Sequence, residues 1–168
     1  ARGLWYDGGY AYIADGDNGL VVLRVADYNN ITQVVYYDTP GTARDVFQAD
    51  YGDFGAKTMI ADGANGLMVL EVFELTGVVN WLAGWVPTTG YAESLVVQDK
   101  IVYLALGEAG IQSMKVSNEN VIFIEGFASN NTPGYAQDIL LNDTYLYVAD
   151  GAGGLRVINK DTSLLNEI

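Results

Sequence analysis

The chain has 168 residues, 50% of them hydrophobic, with 20 Gly, 3 Pro and 12 Tyr but neither Cys nor His, a size and composition that fit one ordinary domain. Eight Lys and Arg against 21 Asp and Glu give a formal charge of −13, and so acidic a surface repels phosphate backbones and anionic lipid alike. The missing Cys and His exclude a disulfide framework, a thiolate nucleophile, the common zinc and haem ligand sets and any imidazole-centred triad.

The chain opens Ala1-Arg2-Gly3-Leu4, with no initiator Met and no signal-like apolar region, and every apolar run is broken before it could span a bilayer. Tyr10-Ala11-Tyr12-Ile13-Ala14 then runs through Asp15-Gly16-Asp17-Asn18-Gly19 into Leu20 to Val25, which reads as strand, glycine hairpin, strand. Ile31 to Tyr37 is a third β-branched and aromatic run. The hairpin recurs as Ala61-Asp62-Gly63-Ala64-Asn65-Gly66-Leu67, Ala105-Leu106-Gly107-Glu108-Ala109-Gly110-Ile111 and Ala149-Asp150-Gly151-Ala152-Gly153-Gly154-Leu155, a period of about 44 to 47 residues. A second anchor keeps phase with it at Thr39-Pro40-Gly41-Thr42-Ala43, Thr88-Thr89-Gly90-Tyr91-Ala92 and Thr132-Pro133-Gly134-Tyr135-Ala136. The longer second unit absorbs an insertion around Tyr51-Gly52-Asp53-Phe54-Gly55, and Ala1 itself falls in repeat phase.

Each unit therefore holds four short strands, typified by Asp138 to Leu141 (a), Tyr145 to Ala149 (b), Leu20 to Val25 (c) and Ile31 to Tyr37 (d). Pro40, Pro87 and Pro133 all lie between strand d and the next strand a, where no ladder donor is needed. No segment combines helix caps with a 3.6-residue period. Four strands in a unit of this length mark a β-propeller blade, so the expected fold is all-β, a propeller of four-stranded antiparallel blades. The blades fall at about 1–42, 43–91, 92–135 and 136–168 of the sequence.

The hairpin Y-x-Y-I-A-D-G-x-x-G-L-x-V-L-x-V from Tyr10 to Val25, its degenerate copies and the Thr-Pro-Gly-Tyr-Ala junctions resemble the LVIVD-repeat propellers of bacterial and archaeal surface or secreted proteins. The resemblance covers essentially the whole chain. It departs from the family after strand c, where the usual Asp and Asn-Pro stand only as Asp27-Tyr28-Asn29-Asn30. Members carry more often about six to eight blades than four, so two readings follow, a small closed ring or part of a larger array. The start at Ala1 and the end near the expected fourth strand d favour the larger array.

Strand polarity places the b–c hairpins and d–a junctions on one face, at the mouth of the central channel. The candidate binding face is therefore Asp15, Asp17, Asn18, Asp62, Asn65, Glu108 and Asp150, with Tyr91 and Tyr135 of the junctions. Asp15, Asp17 and Asn18 also present hard oxygens suited to calcium. The other hairpins replace Asp17 by Ala64 and Ala152 and the first Asp by Leu106, yet keep both glycines. The pattern favours a structural turn in which Asp caps turn amides and Gly supplies positive φ, and no cofactor is expected.

Asp45 and Asp138, at the start of strand a, are weighed as channel acids and read as acceptors tying blades together through backbone amides; Glu93-Ser94 in the equivalent slot breaks any symmetric acid site. Trp5, Trp81 and Trp85 and the pairs Tyr10/Tyr12, Tyr36/Tyr37 and Tyr145/Tyr147 read as core and inter-blade packing. Three sequons begin at Asn30, Asn130 and Asn142, candidate glycosylation sites in a secreted chain. The leading expectation is a non-enzymatic extracellular or cell-surface module, serving adhesion, surface assembly or protein-partner binding, and able to self-associate through its terminal blades. Its rivals are a hydrolase or lyase using channel-mouth carboxylates, a carbohydrate-binding propeller and, for the compartment, a cytoplasmic scaffold.

Overall fold

The computed structural model describes residues 1–50, 55–116 and 124–160. The insertion expected at Tyr51 to Phe54 and the last strand expected near Ile168 lie outside the described residues. Blade 1 is β1 (Gly3–Asp7), β2 (Tyr10–Ala14), β3 (Leu20–Asp27) and β4 (Asn30–Tyr37), antiparallel and adjacent in chain order. Blade 2 repeats this with β5 (Asp45–Asp50), β6 (Ala56–Ala61), β7 (Leu67–Phe73) and β8 (Val78–Val86), and blade 3 with β9 (Ser94–Gln98), β10 (Ile101–Ala105), β11 (Ile111–Val116) and β12 (Ile124–Asn130). Blade 4 comprises β13 (Asp138–Leu141), β14 (Tyr145–Ala149) and β15 (Leu155–Asn159). The fold is all-β. Helical geometry among the described residues is confined to a 3-10 turn at Gly151–Gly153, and no helix is long and apolar enough to cross a membrane.

Successive side chains on a strand point to opposite faces, and an interior blade is covered on both. Its middle strands are accordingly apolar at nearly every position, as in Met59-Ile60-Ala61 and Val102 to Ala105, all buried. Three cores result. Tyr12, Leu20 and Val22 of blade 1 meet Val46, Ile60 and Leu70 of blade 2; Met59, Leu67 and Val69 meet Leu95, Leu104 and Met114 of blade 3; Tyr103 and Ile111 meet Ile139, Leu146 and Ile158 of blade 4. The innermost strands touch in succession, β1 with β5, β5 with β9 and β9 with β13, whereas no comparable packing joins β13 back to β1. The four blades form an arc around a concave channel wall.

Main-chain bridges clip each blade to the next. Gly16 N–H donates to the Ala43 carbonyl and Ala43 N–H returns to the Gly16 carbonyl, both at 2.9 Å. Gly63 with Ala92 and Gly107 with Ala136 repeat the exchange. The glycine stands at φ 60–63° in all three, a conformation that costs an L side chain strain, and the paired alanine is wholly buried. These bridges account for two of the residues that the sequence repeats most faithfully.

Two glycines separate close approach from backbone strain. A Cβ on Gly66, at φ +81°, would sit 2.4 Å from the Val86 carbonyl oxygen, whereas one on Gly55, at φ +69°, would meet nothing within 4 Å. Gly66→Ala is expected to lower unfolding free energy by about 2–4 kcal/mol and Gly55→Ala by about 1 kcal/mol. Urea titrations of the two variants check the difference, and equal losses would remove the packing argument.

Candidate functional site

The register places one residue pair of each blade at the channel mouth: Arg2-Gly3, Arg44-Asp45, Glu93-Ser94 and Gln137-Asp138. Apart from Gly3 they line a cavity of about 420 Å³. Gly3 is needed because a Cβ there would lie 2.4 Å from Asp45 Oδ1. Ser94 Oγ lies 2.8 Å from Asp45 Oδ2 and 2.9 Å from Asp138 Oδ1, so one hydroxyl spans carboxylates from blades 2 and 4. Asp45 also accepts from the Leu95 amide of blade 3 at 3.1 Å and from its own neighbour Val46 at 2.9 Å. The expectation of an acceptor tying blades through backbone amides thus describes Asp45. Asp138 is exposed and, besides Ser94, accepts from the adjacent Ile139 amide, which lies in its own blade.

A hydroxyl carries one proton, so Ser94 satisfies both carboxylates only when one of them is protonated. Burial first, and the Asp138 charge to a lesser degree, push the Asp45 carboxyl above its ordinary value, against the hydrogen bonds it accepts. Beside this cluster, Arg44 Nε donates to Glu93 Oε2 at 2.6 Å and the Tyr135 hydroxyl donates to Glu93 Oε1 at 2.6 Å. The hydrogen bond to Glu93, with some burial, pushes the Tyr135 phenol up to about 12. The Arg44 guanidinium sits 5.7 Å from the Tyr91 ring centroid, within cation–π range.

The hairpin residues divide. Asp62 and Asp150, expected on the exposed mouth, are wholly buried. Asp62 accepts from Thr39 Oγ1 at 2.6 Å and the Gly41 amide at 2.9 Å, and Asp150 accepts from Thr132 Oγ1 at 2.5 Å and the Gly134 amide at 2.9 Å. Each carboxylate latches the Thr-Pro-Gly junction leading into its own blade, a longer-range task than the turn-capping expected. Burial raises the Asp62 carboxyl, and Arg156 lies 3.6 Å from Asp150. Where Leu106 replaces the acid, Thr88 turns its hydroxyl to the Gly90 carbonyl at 2.7 Å.

Asp15 is half-exposed and binds the Ala1 amine at 2.6 Å and Asn18 Nδ2 at 3.1 Å. The hydrogen bond from that amine, ahead of the one from Asn18, lowers its carboxyl. Asp17 accepts from Thr42 Oγ1 at 3.0 Å. Asn18 and Glu108 are exposed and Asn65, Tyr91 and Tyr135 half-buried. Among the described residues no group of three or more His, Cys, Asp or Glu is placed to hold a metal.

Ser94, Arg44, Glu93, Thr39 and Thr132 carry contacts that the sequence reading did not assign. The phase of the repeat could have found the two threonines. Of the tryptophans, Trp5 stacks against Phe47 with centroids 4.1 Å apart, Trp85 is exposed and the Trp81 side chain lies outside the described residues. Among the sequons, Asn30 is exposed, Asn130 half-buried, and Asn142 uses its side chain on Thr144, Tyr145 and Tyr147.

The LVIVD repeat model matches residues 1–39 and 133–159, which cover the first blade and the described last one. The chain carries LVIVD repeats. No curated protein matches it. Among solved structures, the crystal structure of the computationally designed Ika8 protein aligns with TM-score 0.68 at 10% identity, over 98% of this chain and 47% of that one. The LVIVD chain thus spans about half the length of that structure, and the likeness supports the propeller fold alone. A propeller of LVIVD repeats is a repeat-based interaction or structural module.

Because Asp45 holds its proton more tightly in the fold than in the unfolded chain, its contribution is complete below the ordinary carboxyl value of 3.8 and is lost as pH rises through the folded value. Asp45→Asn is therefore expected to gain stability relative to the native protein between about pH 3 and 7. Parallel melting curves across that range would contradict the assignment. Asp62→Ala, which strands Thr39 and the Gly41 amide, is expected to cost about 2–4 kcal/mol, and Asp17→Ala less than about 0.5 kcal/mol, read from chemical denaturation.

Proposed function

We propose that the protein is a non-enzymatic module of the cell surface or secreted space that binds a protein partner on its channel-mouth face, for adhesion or surface assembly. One observation carries the non-enzymatic part: the mouth acids are committed to neighbouring side chains. Ser94 spans Asp45 and Asp138, and Glu93 is held between Arg44 and Tyr135. A hydrolytic carboxylate pair needs one free acid and one free base of divergent pKa facing open space, and here the two carboxylates share a single hydroxyl.

The residues left to meet a partner are Asp17, Asn18 and Glu108, exposed on the hairpin tips. With the net charge of −13 they suit a basic protein surface, whose approach the field of the chain steers. The surface compartment is supported by the LVIVD resemblance and by a chain free of Cys.

A panel of chromogenic esters, glycosides and phosphodiesters, with Asp45→Asn and Asp138→Asn as references, tests the first part. No turnover separating the native protein from these variants is expected; turnover abolished in a folded Asp45→Asn variant would establish an enzyme. Protease shaving of intact source cells tests the second part, with digestion of the LVIVD chain expected and full protection counting against a surface role.

A further inference from the structure

We propose that the channel carries a second site at the end opposite its mouth, a cleft for a small neutral planar ring bearing a lactam-type N–H and C=O on one edge. The site is separate from the channel-mouth face and does not rest on the interaction-module reading.

A cavity of about 390 Å³ opens where β5 and β9 end, between these strands, β1 and the β9–β10 turn. Its walls come from three successive blades whose innermost strands pack directly on one another, and Trp5 faces the blade that follows its own, stacked on Phe47. Trp5, Phe47, Ala49 and Val97 form an apolar belt, and each is only half-buried. Two polar atoms interrupt it. The Trp5 indole N–H and the Gln98 amide oxygen belong to side chains that line the cavity, are withdrawn from solvent and find no hydrogen-bond partner among the described residues. An unpaired buried donor or acceptor costs free energy that a matching group recovers. The turn at the rim is also unusual. Blade 1 closes β1 to β2 with Gly8-Gly9 at φ 56° and 86°, whereas blade 3 closes β9 to β10 with Asp99-Lys100 at φ 52° and 66°. Glycine suits such a turn, and Asp99 and Lys100 are the two non-glycine residues at positive φ among the described residues. Backbone strain of this kind concentrates at binding sites.

The ligand class follows from this inventory. A mostly apolar cleft with a few polar groups that fix orientation is the usual form of a small-molecule site. A flat ring stacks on the Trp5 and Phe47 faces. One donor and one acceptor of the wall await partners, and a lactam supplies one acceptor and one donor side by side. A sugar carries a hydroxyl on nearly every carbon and would leave most of them unpaired against Phe47, Ala49 and Val97, and a charged ring would lose its hydration there without a counter-charge.

Calorimetric titration of the chain with carbostyril, a two-ring lactam, is expected to show saturable binding of one molecule per chain. N-methylcarbostyril keeps the ring and the carbonyl but lacks the N–H, and is expected to bind about tenfold more weakly or worse. Gln98→Leu should bring carbostyril down to the level of its methyl derivative and leave the derivative unchanged, with the strand spectrum by circular dichroism intact. Trp5→Phe keeps a ring but removes the donor, and should weaken both probes. The indole N–H signal absent from the Trp5→Phe nitrogen–proton spectrum should move downfield when carbostyril is added to the native chain. If Trp5→Phe fails to fold, the two probes against Gln98→Leu decide alone. No binding at millimolar probe, equal affinity for the two probes, affinity indifferent to Gln98→Leu, or tighter binding of methyl glucoside than of carbostyril would each overturn the site.

Discussion

The architecture depends on a reciprocal pair of main-chain hydrogen bonds between a hairpin glycine and the alanine that opens the next blade. A sheet face carries no information about which other sheet should cover it, since apolar packing is largely non-directional. The Gly16–Ala43 exchange and its two counterparts supply the direction. They fix the height of one blade against the next at the channel mouth, and the apolar faces then interdigitate below that fixed point. The junction tyrosines close over the glycine: a Cβ on Gly63 or Gly107 would lie 2.8 Å from the ring of Tyr91 or Tyr135 respectively.

A second layer of polar contacts sits on this frame and resolves a difficulty created by the composition. With so few cations, the chain cannot pair its acids one by one. It disposes of them otherwise, burying Asp62 and Asp150 among the hydroxyls and amides of the junctions and sharing one serine between Asp45 and Asp138. Arg44, one of two arginines lining the mouth, is committed to Glu93 and faces Tyr91. Satisfied buried networks of this kind rigidify the junctions they hold and specify one geometry.

The fold was readable because its determinants are local and repeated: turn glycines, alternating strands and prolines parked between blades each announce themselves within a few residues. The site was readable only in part, and for a physical reason. An Asp-Gly pair looks the same whether its carboxylate caps an exposed turn, as at Asp15, or latches a junction more than twenty residues earlier, as at Asp62. Ser94 and Glu93 were hidden for the opposite reason. Their roles come from breaking the repeat, since a serine between two aspartates and a glutamate beside an arginine have meaning only once neighbouring blades are set side by side.

Because each blade touches only its neighbours, protection of the backbone is set by position in the row. Strands β6, β7 and β10 lie beneath covered faces on both sides, while β1 and β15 are covered on one. In such a one-dimensional assembly the ends open at lower free energy than the middle. Amide hydrogen exchange should therefore be slowest around Met59 to Ala61 and Val102 to Ala105, whose strands are covered on both faces. The most apolar stretches of the chain are then the last to meet water.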